Sequence, residues 1–474
     1  PAYPLTDFPY VAITGSVSVF DPKIRVPYTQ SWSLGLQREI SKDMALEVRY
    51  VHNVNLQQWV TYNINEVNIV ENGFFDEFKR AQGNLQANIA AGRGNNFRYF
   101  GPGTGTSPLP IYLAYFSGAP NGIKPDPNLA SSYTSGSFAN TGFVNPLAAN
   151  NPNPYAPASA STSGTGTGLY ADPGRRANAI AAGLAPNFFL ANPGLLGGAN
   201  FTGNGGYSRY DGLQVELRRR LSKGLLIQSN YTFARSFNRS RISFRAPAVN
   251  SLGDTLEHAF KANWVYELPI GRGKSLFGGA GGALDRLIGG WEFHGTARIQ
   301  SGNYLNFGNV RLVGMTEKEL RKAAKLRFDD AAGIAYYLPQ DIIDNTRRAF
   351  STSATSATGF GDLGPPTGRY IAPANSGNCI QVMSGDCAPQ ALIVNGPMFA
   401  RFDMSAVKRV KINERLNFEL RGEILNAFNH INFFGVTCAS SSDTCGEVST
   451  AYRDVNNTQD PGGRMIQIVA RFNF

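Results

Sequence analysis

The sequence predicts an all-β chain: a transmembrane antiparallel β-barrel with long extracellular loops carrying short helices. Three observations carry this. Apolar and polar residues alternate with period two through five hairpin-like stretches, which puts one set of side chains on each face of a sheet. Connections alternate between short and long, and the short ones share one end of the strands. The composition is low in charge (16 %) yet rich in aromatics (12 %) and glycine (52 of 474 residues), which disfavours a disordered chain and a helical bundle alike.

The first hairpin spans 30–53. Trp32, Leu34 and Leu36 alternate with Ser33, Gly35 and Gln37, a turn follows at 41–43, and Met44, Leu46, Val48 and Tyr50 then alternate with Ala45, Glu47, Arg49 and Val51. The second sets Leu213, Val215 and Leu217 against Gln214, Glu216 and Arg218, turns at 222–224, and continues through Leu225, Ile227, Tyr231 and Phe233. The third pairs Phe260, Ala262, Trp264, Tyr266 and Leu268 with Trp291, Phe293, Ala297 and Ile299. Its polar face carries Lys261, Asn263, Glu267, Glu292, His294, Arg298 and Gln300. The fourth runs from Phe402 through a turn at 413–415 to Leu416, Phe418, Leu420 and Ile424, with Asn417, Glu419, Arg421 and Glu423 opposite. The fifth is a half-hairpin in which Ile466, Ile468, Ala470, Phe472 and Phe474 share a face. Residues 11–20 are a weaker strand candidate.

After each first strand the link is short (41–43, 221–224, 413–415, with 271–290 somewhat longer). After each second strand it is long (53–207, 237–257, 302–397, 431–463). Alternation alone also fits a sandwich core, but a sandwich has no reason to segregate loop length, whereas an outer-membrane barrel has periplasmic turns and extracellular loops. Trp32, Tyr50, Tyr231, Trp264, Tyr266, Trp291 and Phe293 lie on the apolar face near strand ends, where interfacial girdles belong. The opposite, lumen-facing side then takes Glu47, Arg49, Gln214, Glu216, Arg218, Glu267, His294, Arg298, Arg421 and Glu423. Within the loops, Phe74, Phe78, Ala81, Leu85 and Ile89 fall at helical spacing, Thr316 to Glu319 form a capping box opening a helix over 316–326, and a third helix covers 339–350. Residues 101–206, rich in Gly, Asn, Pro, Ser and Ala, read as irregular loop.

No apolar run approaches the roughly 18 residues a membrane-crossing helix needs, so a helical membrane protein is excluded. The chain starts Pro1-Ala2-Tyr3-Pro4, without a Met, a basic n-region or an apolar h-region. Either a signal was removed just before Pro1 or this is a piece of something longer. The net charge of +10 is spread through strands and loops without a compact basic patch, so no nucleic-acid partner is expected. Cys379/Cys387 and Cys438/Cys445 lack zinc spacing and read as two local disulfides in an oxidising compartment. His52, His258, His294 and His430 are isolated. The stretch 271–275, Gly-Arg-Gly-Lys-Ser, lacks the earlier glycine of a phosphate loop, since Leu268 occupies that position. One carboxylate per strand suits a charged lumen. Neither an enzyme nor a cofactor or metal is expected.

Five stretches carry a family resemblance: VPYTQSW at 26–32, YDGLQVEL at 210–217, HAFKAN at 258–263, LRGEILNAFNH at 420–430 and the closing ARFNF at 470–474. They are similar to TonB-dependent outer-membrane receptors, especially the Oar-like group, and the similarity spans residues 1–474. The resemblance implies that 1–474 is the C-terminal part of a barrel of about 22 strands, with an N-terminal plug and a regulatory-like domain outside this chain. It implies coupling to the TonB complex through that missing part, and an oligosaccharide, peptide or protein as extracellular ligand. It further implies that the barrel-assembly machinery reads the terminal aromatics, Phe472 and Phe474, beside their contact with outer-membrane lipid. A passive porin and an adhesive or structural surface barrel remain as alternatives.

Overall fold

The computed structural model describes residues 16–144, 169, 172–194, 198–240, 244–245, 249–252, 255–331, 333–375, 379, 385, 387–389, 391–412, 416–433, 447–448 and 462–473. Nine strands form its main ladder. They are β1 (Tyr28–Ser41), β2 (Met44–Asn63), β3 (Gly198–Ser222), β4 (Leu225–Ser240), β5 (His258–Glu267), β6 (Trp291–Gln300), β7 (Phe399–Lys411), β8 (Asn417–Leu425) and β9 (Met465–Asn473). Each pairs antiparallel with the next in sequence, giving an up-and-down sheet with β1 and β9 at its edges. Among the described residues the sheet is open rather than a closed barrel.

The chemistry of the short turns explains why the strands reverse where they do. Between β3 and β4 only Lys223 and Gly224 intervene, and both have positive φ (49° and 78°), the pair of left-handed conformations that matches strand twist in a two-residue hairpin. A side chain at Gly224 would meet the Glu267 carbonyl oxygen at 2.9 Å. Lys42 and Asp43 alone join β1 to β2. Residues 268–290 join β5 to β6 and contain α4 (Gly282–Ile288). The turn at 413–415 lies outside the described residues. At the other end the connections are long: 64–197, 241–257, 301–398 and 426–464.

The pairing register puts the alternating side chains on two faces. Leu225, Tyr266, Phe293, Ala406, Gly422 and Ile468 are joined rung to rung on one of them, and so are Ile227, Trp264, Gly295, Met404, Ile424 and Ile466. Apolar side chains on this face are open to the surroundings even mid-sheet, with Phe293 45 % exposed and Tyr266 37 %. Trp264, Tyr266, Trp291 and Phe293 gather at the short-turn end, while Trp32 and Tyr50 (centroids 5.2 Å apart) lie nearer the long loops. Trp264 lies flat across its cross-strand partner Gly295, where a Cβ would fall 2.1 Å from the indole.

Two features depart from the sequence reading. The weak candidate near the start yields a strand, Ser16–Phe20, but it pairs parallel to β3, Ser16 with Gly198 through Phe20 with Thr202, and stands outside the up-and-down order. Residues 21–27 then cross to β1. Asn204 clasps Arg25 on this crossing, accepting from its backbone N–H (2.7 Å) and donating to its C=O (2.8 Å), and Trp59 Nε1 donates to the same carbonyl (2.8 Å).

The second departure is the stretch read as irregular. Residues 198–206 belong to β3, and 101–144 are packed around α2 (Pro110–Ser117). With α1 (Phe74–Ala90) and α3 (Pro173–Ala181) they bury Phe78, Phe97, Tyr112, Tyr115, Tyr133, Phe138 and Phe189 in one aromatic core. A second loop core lies between β6 and β7. There α5 (Glu317–Ala323) begins at the Thr316–Glu319 capping box, and α6 (Gln340–Phe350) buries Ile342 and Ile343.

Candidate functional site

The face of the sheet opposite the apolar one is polar, and its residues align in rungs. One rung runs Gln37, Glu47, Glu216, Asn230, Lys261, Arg298, Arg401 across seven strands. Acid lies toward one end of it and base toward the other. Most of these charges are matched two residues along their own strand, since i and i+2 share a face. Glu47 pairs with Arg49, Glu216 with Arg218 (2.5 Å), and Arg401 with Asp403 (3.1 Å). Arg298 donates to Gln300 (2.8 Å), and Gln228 donates to Glu216 (3.2 Å). Lys261 lines both hollows on this face. One, of about 650 Å³, includes Asn263, Arg298 and Arg401; the other, of about 280 Å³, includes Glu47, Arg49, Gln214 and Glu216.

Toward the short-turn end the same face carries a charge network and a separate ion pair. Arg409 bridges Glu292 and Glu419 (2.9 Å to the latter), and Arg421 bridges Glu419 (2.8 Å) and Glu423 (3.2 Å). His294 meets Glu292 at 2.9 Å, and Lys274 meets Glu267 at 3.1 Å. All ten residues expected to face a lumen therefore lie on this one face, in two groups. Glu47, Arg49, Gln214, Glu216, Arg218 and Arg298 belong to the hollowed region, and Glu267, His294, Arg421 and Glu423 to the short-turn end. Arg401, Asp403 and Arg409 were missed. Their strand alternates as the others do, but Ala and Val at 406–407 blur the polar side there.

The long-loop end is built to hold shape. Within the first loop, buried Asn84 donates to the carbonyls of Phe97 (3.2 Å) and Ser107 (2.8 Å) and accepts from the Ser107 N–H (2.7 Å). Glu77, fully buried on α1, accepts from the N–H groups of Ile111 (3.0 Å) and Tyr112 (2.8 Å) at the start of α2. Burial pushes its carboxyl up to about 7, more than those two donors and Arg80 offset. The two loop units meet: Gln86 donates to the Ala354 carbonyl (3.0 Å). Beside that contact lies a crevice of about 300 Å³ in which Gln82, Ser353, Ser356 and Thr358 alternate with the apolar Leu85, Val144 and Ala354.

A model of the outer membrane beta barrel domain matches residues 2–467, nearly the whole chain. The chain belongs to this family. This outer-membrane β-barrel domain has no significant match among curated proteins. Among solved structures it is similar to the outer-membrane transporter YddB from Escherichia coli (8 % identity, TM-score 0.30, 97 % of this chain and 34 % of that one). It is also similar to the ferripyoverdine receptor of the Pseudomonas aeruginosa outer membrane (8 %, 0.29, 95 % and 28 %) and to the FrpB iron transporter of Neisseria meningitidis (8 %, 0.28, 97 % and 33 %). The domain spans about a third of the length of these proteins.

Membership places the domain in the outer membrane. No helix among the described residues is long and apolar enough to cross a membrane; outer-membrane β-barrels cross with strands, whose backbone groups are satisfied by their neighbours. The described residues hold no cluster of His, Cys, Asp and Glu of metal-binding size. In the second loop Cys379 and Cys387 are joined by a disulfide, Cα atoms 5.8 Å apart. Cys438, Cys445 and Phe474 lie outside the described residues. Phe472 packs against Phe418 across the β8–β9 ladder in a tilted pair, ring centroids 4.9 Å apart.

Proposed function

We propose that this domain is part of the wall of a TonB-dependent, Oar-like outer-membrane receptor of about 22 strands. Such a receptor captures a solute at the folded loops and passes it along the polar face into the periplasm with energy from the TonB complex, which acts through an N-terminal part outside this chain. The observation that carries the reading is the combination of a charged, hollowed sheet face with two packed loop units at one end of the strands only. A channel for small ions needs the first and has no use for the second, whereas ligand selection needs both. The uncharged crevice between the loops, which mixes amides and hydroxyls with apolar side chains, suits an oligosaccharide or peptide better than a free ion. Barrel-assembly machinery and membrane lipid complete the set of partners; no nucleic acid, cofactor or catalytic step enters.

The test is uptake of labelled oligosaccharides and peptides by cells carrying the full-length receptor, with and without an active TonB complex. Loss of uptake on de-energising, with binding kept, is the expected result. Uptake that survives de-energising indicates a passive porin, and binding with no uptake in either state indicates an adhesive surface protein.

A further inference from the structure

The connection between β5 and β6 is out of character for a short-turn end. The two-residue turns at Lys42-Asp43 and Lys223-Gly224 are polar. Residues 268–290 instead expose Leu276 (51 %), Phe277 (67 %), Leu284 (48 %) and Leu287 (72 %). Phe277, Leu284 and Leu287 line a groove of about 490 Å³ whose far wall is Trp291 and Phe293. Three strands lie between this hairpin and one sheet edge and four between it and the other, so further strands at either edge would not cover it. The turn is an ordered structure. Gly271 N–H donates to Leu276 (2.9 Å), Leu276 N–H to Pro269 (2.9 Å), and Arg272 N–H to the Asp285 carboxylate (2.6 Å) that sits within α4. Lys408 on β7 donates to the Gly289 carbonyl and places its ammonium over the Trp291 ring, 5.5 Å from the centroid.

We propose that this turn is a lipid anchor: α4 lies in the phospholipid leaflet at the short-turn end, with an acyl chain in the groove between α4 and Trp291. Two features select that occupant. The groove runs without a break into the apolar face of the sheet, which meets lipid already, so filling it extends one interface rather than creating a second. The same connection carries exposed Arg272 and Arg286, cations available to headgroup phosphate beside an apolar surface, as in helices that lie in a membrane interface. The proposal rests on the apolar face being the lipid face.

The test uses the full-length receptor in cells grown with radiolabelled phosphate, with a photo-crosslinking phenylalanine analogue at Leu287, Tyr266 or Lys223 in turn. Leu287 and Tyr266 should each yield a radiolabelled adduct that a phospholipase releases, and Lys223 should yield none. The Leu284→Glu variant, checked for heat-modifiable folded protein, should lower the Leu287 adduct several-fold while leaving the Tyr266 adduct unchanged. A Tyr266 adduct without a Leu287 adduct, a Leu287 adduct to protein, or one resistant to phospholipase would overturn the anchor. Absence of adduct at Tyr266 itself would instead overturn the lipid-facing assignment of the sheet.

Discussion

Glu77 shows how one buried carboxylate ties a loop to pH. Its folded carboxyl is held at about 7 against an ordinary 4.5, so the folded loop binds more protons than the unfolded one between those values. Stability is therefore greatest below the lower value, falls as pH rises through the window and levels off above it. A shift of that size is worth about 3 kcal/mol. Protection of the α1 and α2 amides, referred to the base-catalysed exchange rate of an unfolded peptide at each pH, should fall across this window, and Glu77→Gln should flatten the profile. Because one amide oxygen replaces two acceptors, that variant also costs about 1–2 kcal/mol at low pH. A slope that survives the substitution would assign the pH dependence to another group.

Among the elements, the β5–β6 ladder has the tightest steric requirement. With Trp264 lying on Gly295, a Cβ cannot be added without turning the indole off the sheet. Gly295→Val should cost about 1–3 kcal/mol by overpacking, read as a lower midpoint in urea-driven unfolding from lipid vesicles; an unchanged midpoint would mean the ring moves freely. In the second loop, the Cys379–Cys387 bond closes a segment with a sequence separation of 8, for which chain entropy gives roughly 2–3 kcal/mol. Replacing both by Ser should speed proteolysis of α5 and α6 in intact cells and leave the strands untouched. Most strands and three loop helices were legible because each has a period: two for the strands, 3.6 for α1 and α6, and a capping box for α5. The core around Phe97, Tyr112 and Phe138 was not. Its aromatics sit in irregular backbone, where side chains converge from distant positions and leave no period to read. The opening of β3, glycine-rich at 198–206, looked like loop for the same reason: strand membership there comes from the register with β2 and not from side-chain preference.

For the whole molecule, connection length is the property that orders everything else. Every described short turn lies at one end and both folded loop units at the other, so the domain has one sidedness in the membrane. An impermeant thiol reagent applied to intact cells should leave Lys223→Cys unlabelled and should label Lys318→Cys on α5; the reverse pattern would invert the topology. The side of the sheet each residue takes was legible from parity alone, and so were the ten charged and polar positions. The parallel strand near the start was not, because alternation specifies faces and is silent on which neighbour a strand chooses.

That parallel strand has a mechanical consequence. In an antiparallel hairpin pulled apart at its open end, hydrogen bonds give way one at a time. Ser16–Phe20 runs in the same direction as the segment of β3 beside it, so tension applied along the strand axis loads the five paired residues together. Behind them, the Asn204 and Trp59 bonds to Arg25 are the next contacts along the chain before β1. Force along that axis therefore meets five paired residues and the Arg25 bonds before it meets the first strand of the ladder.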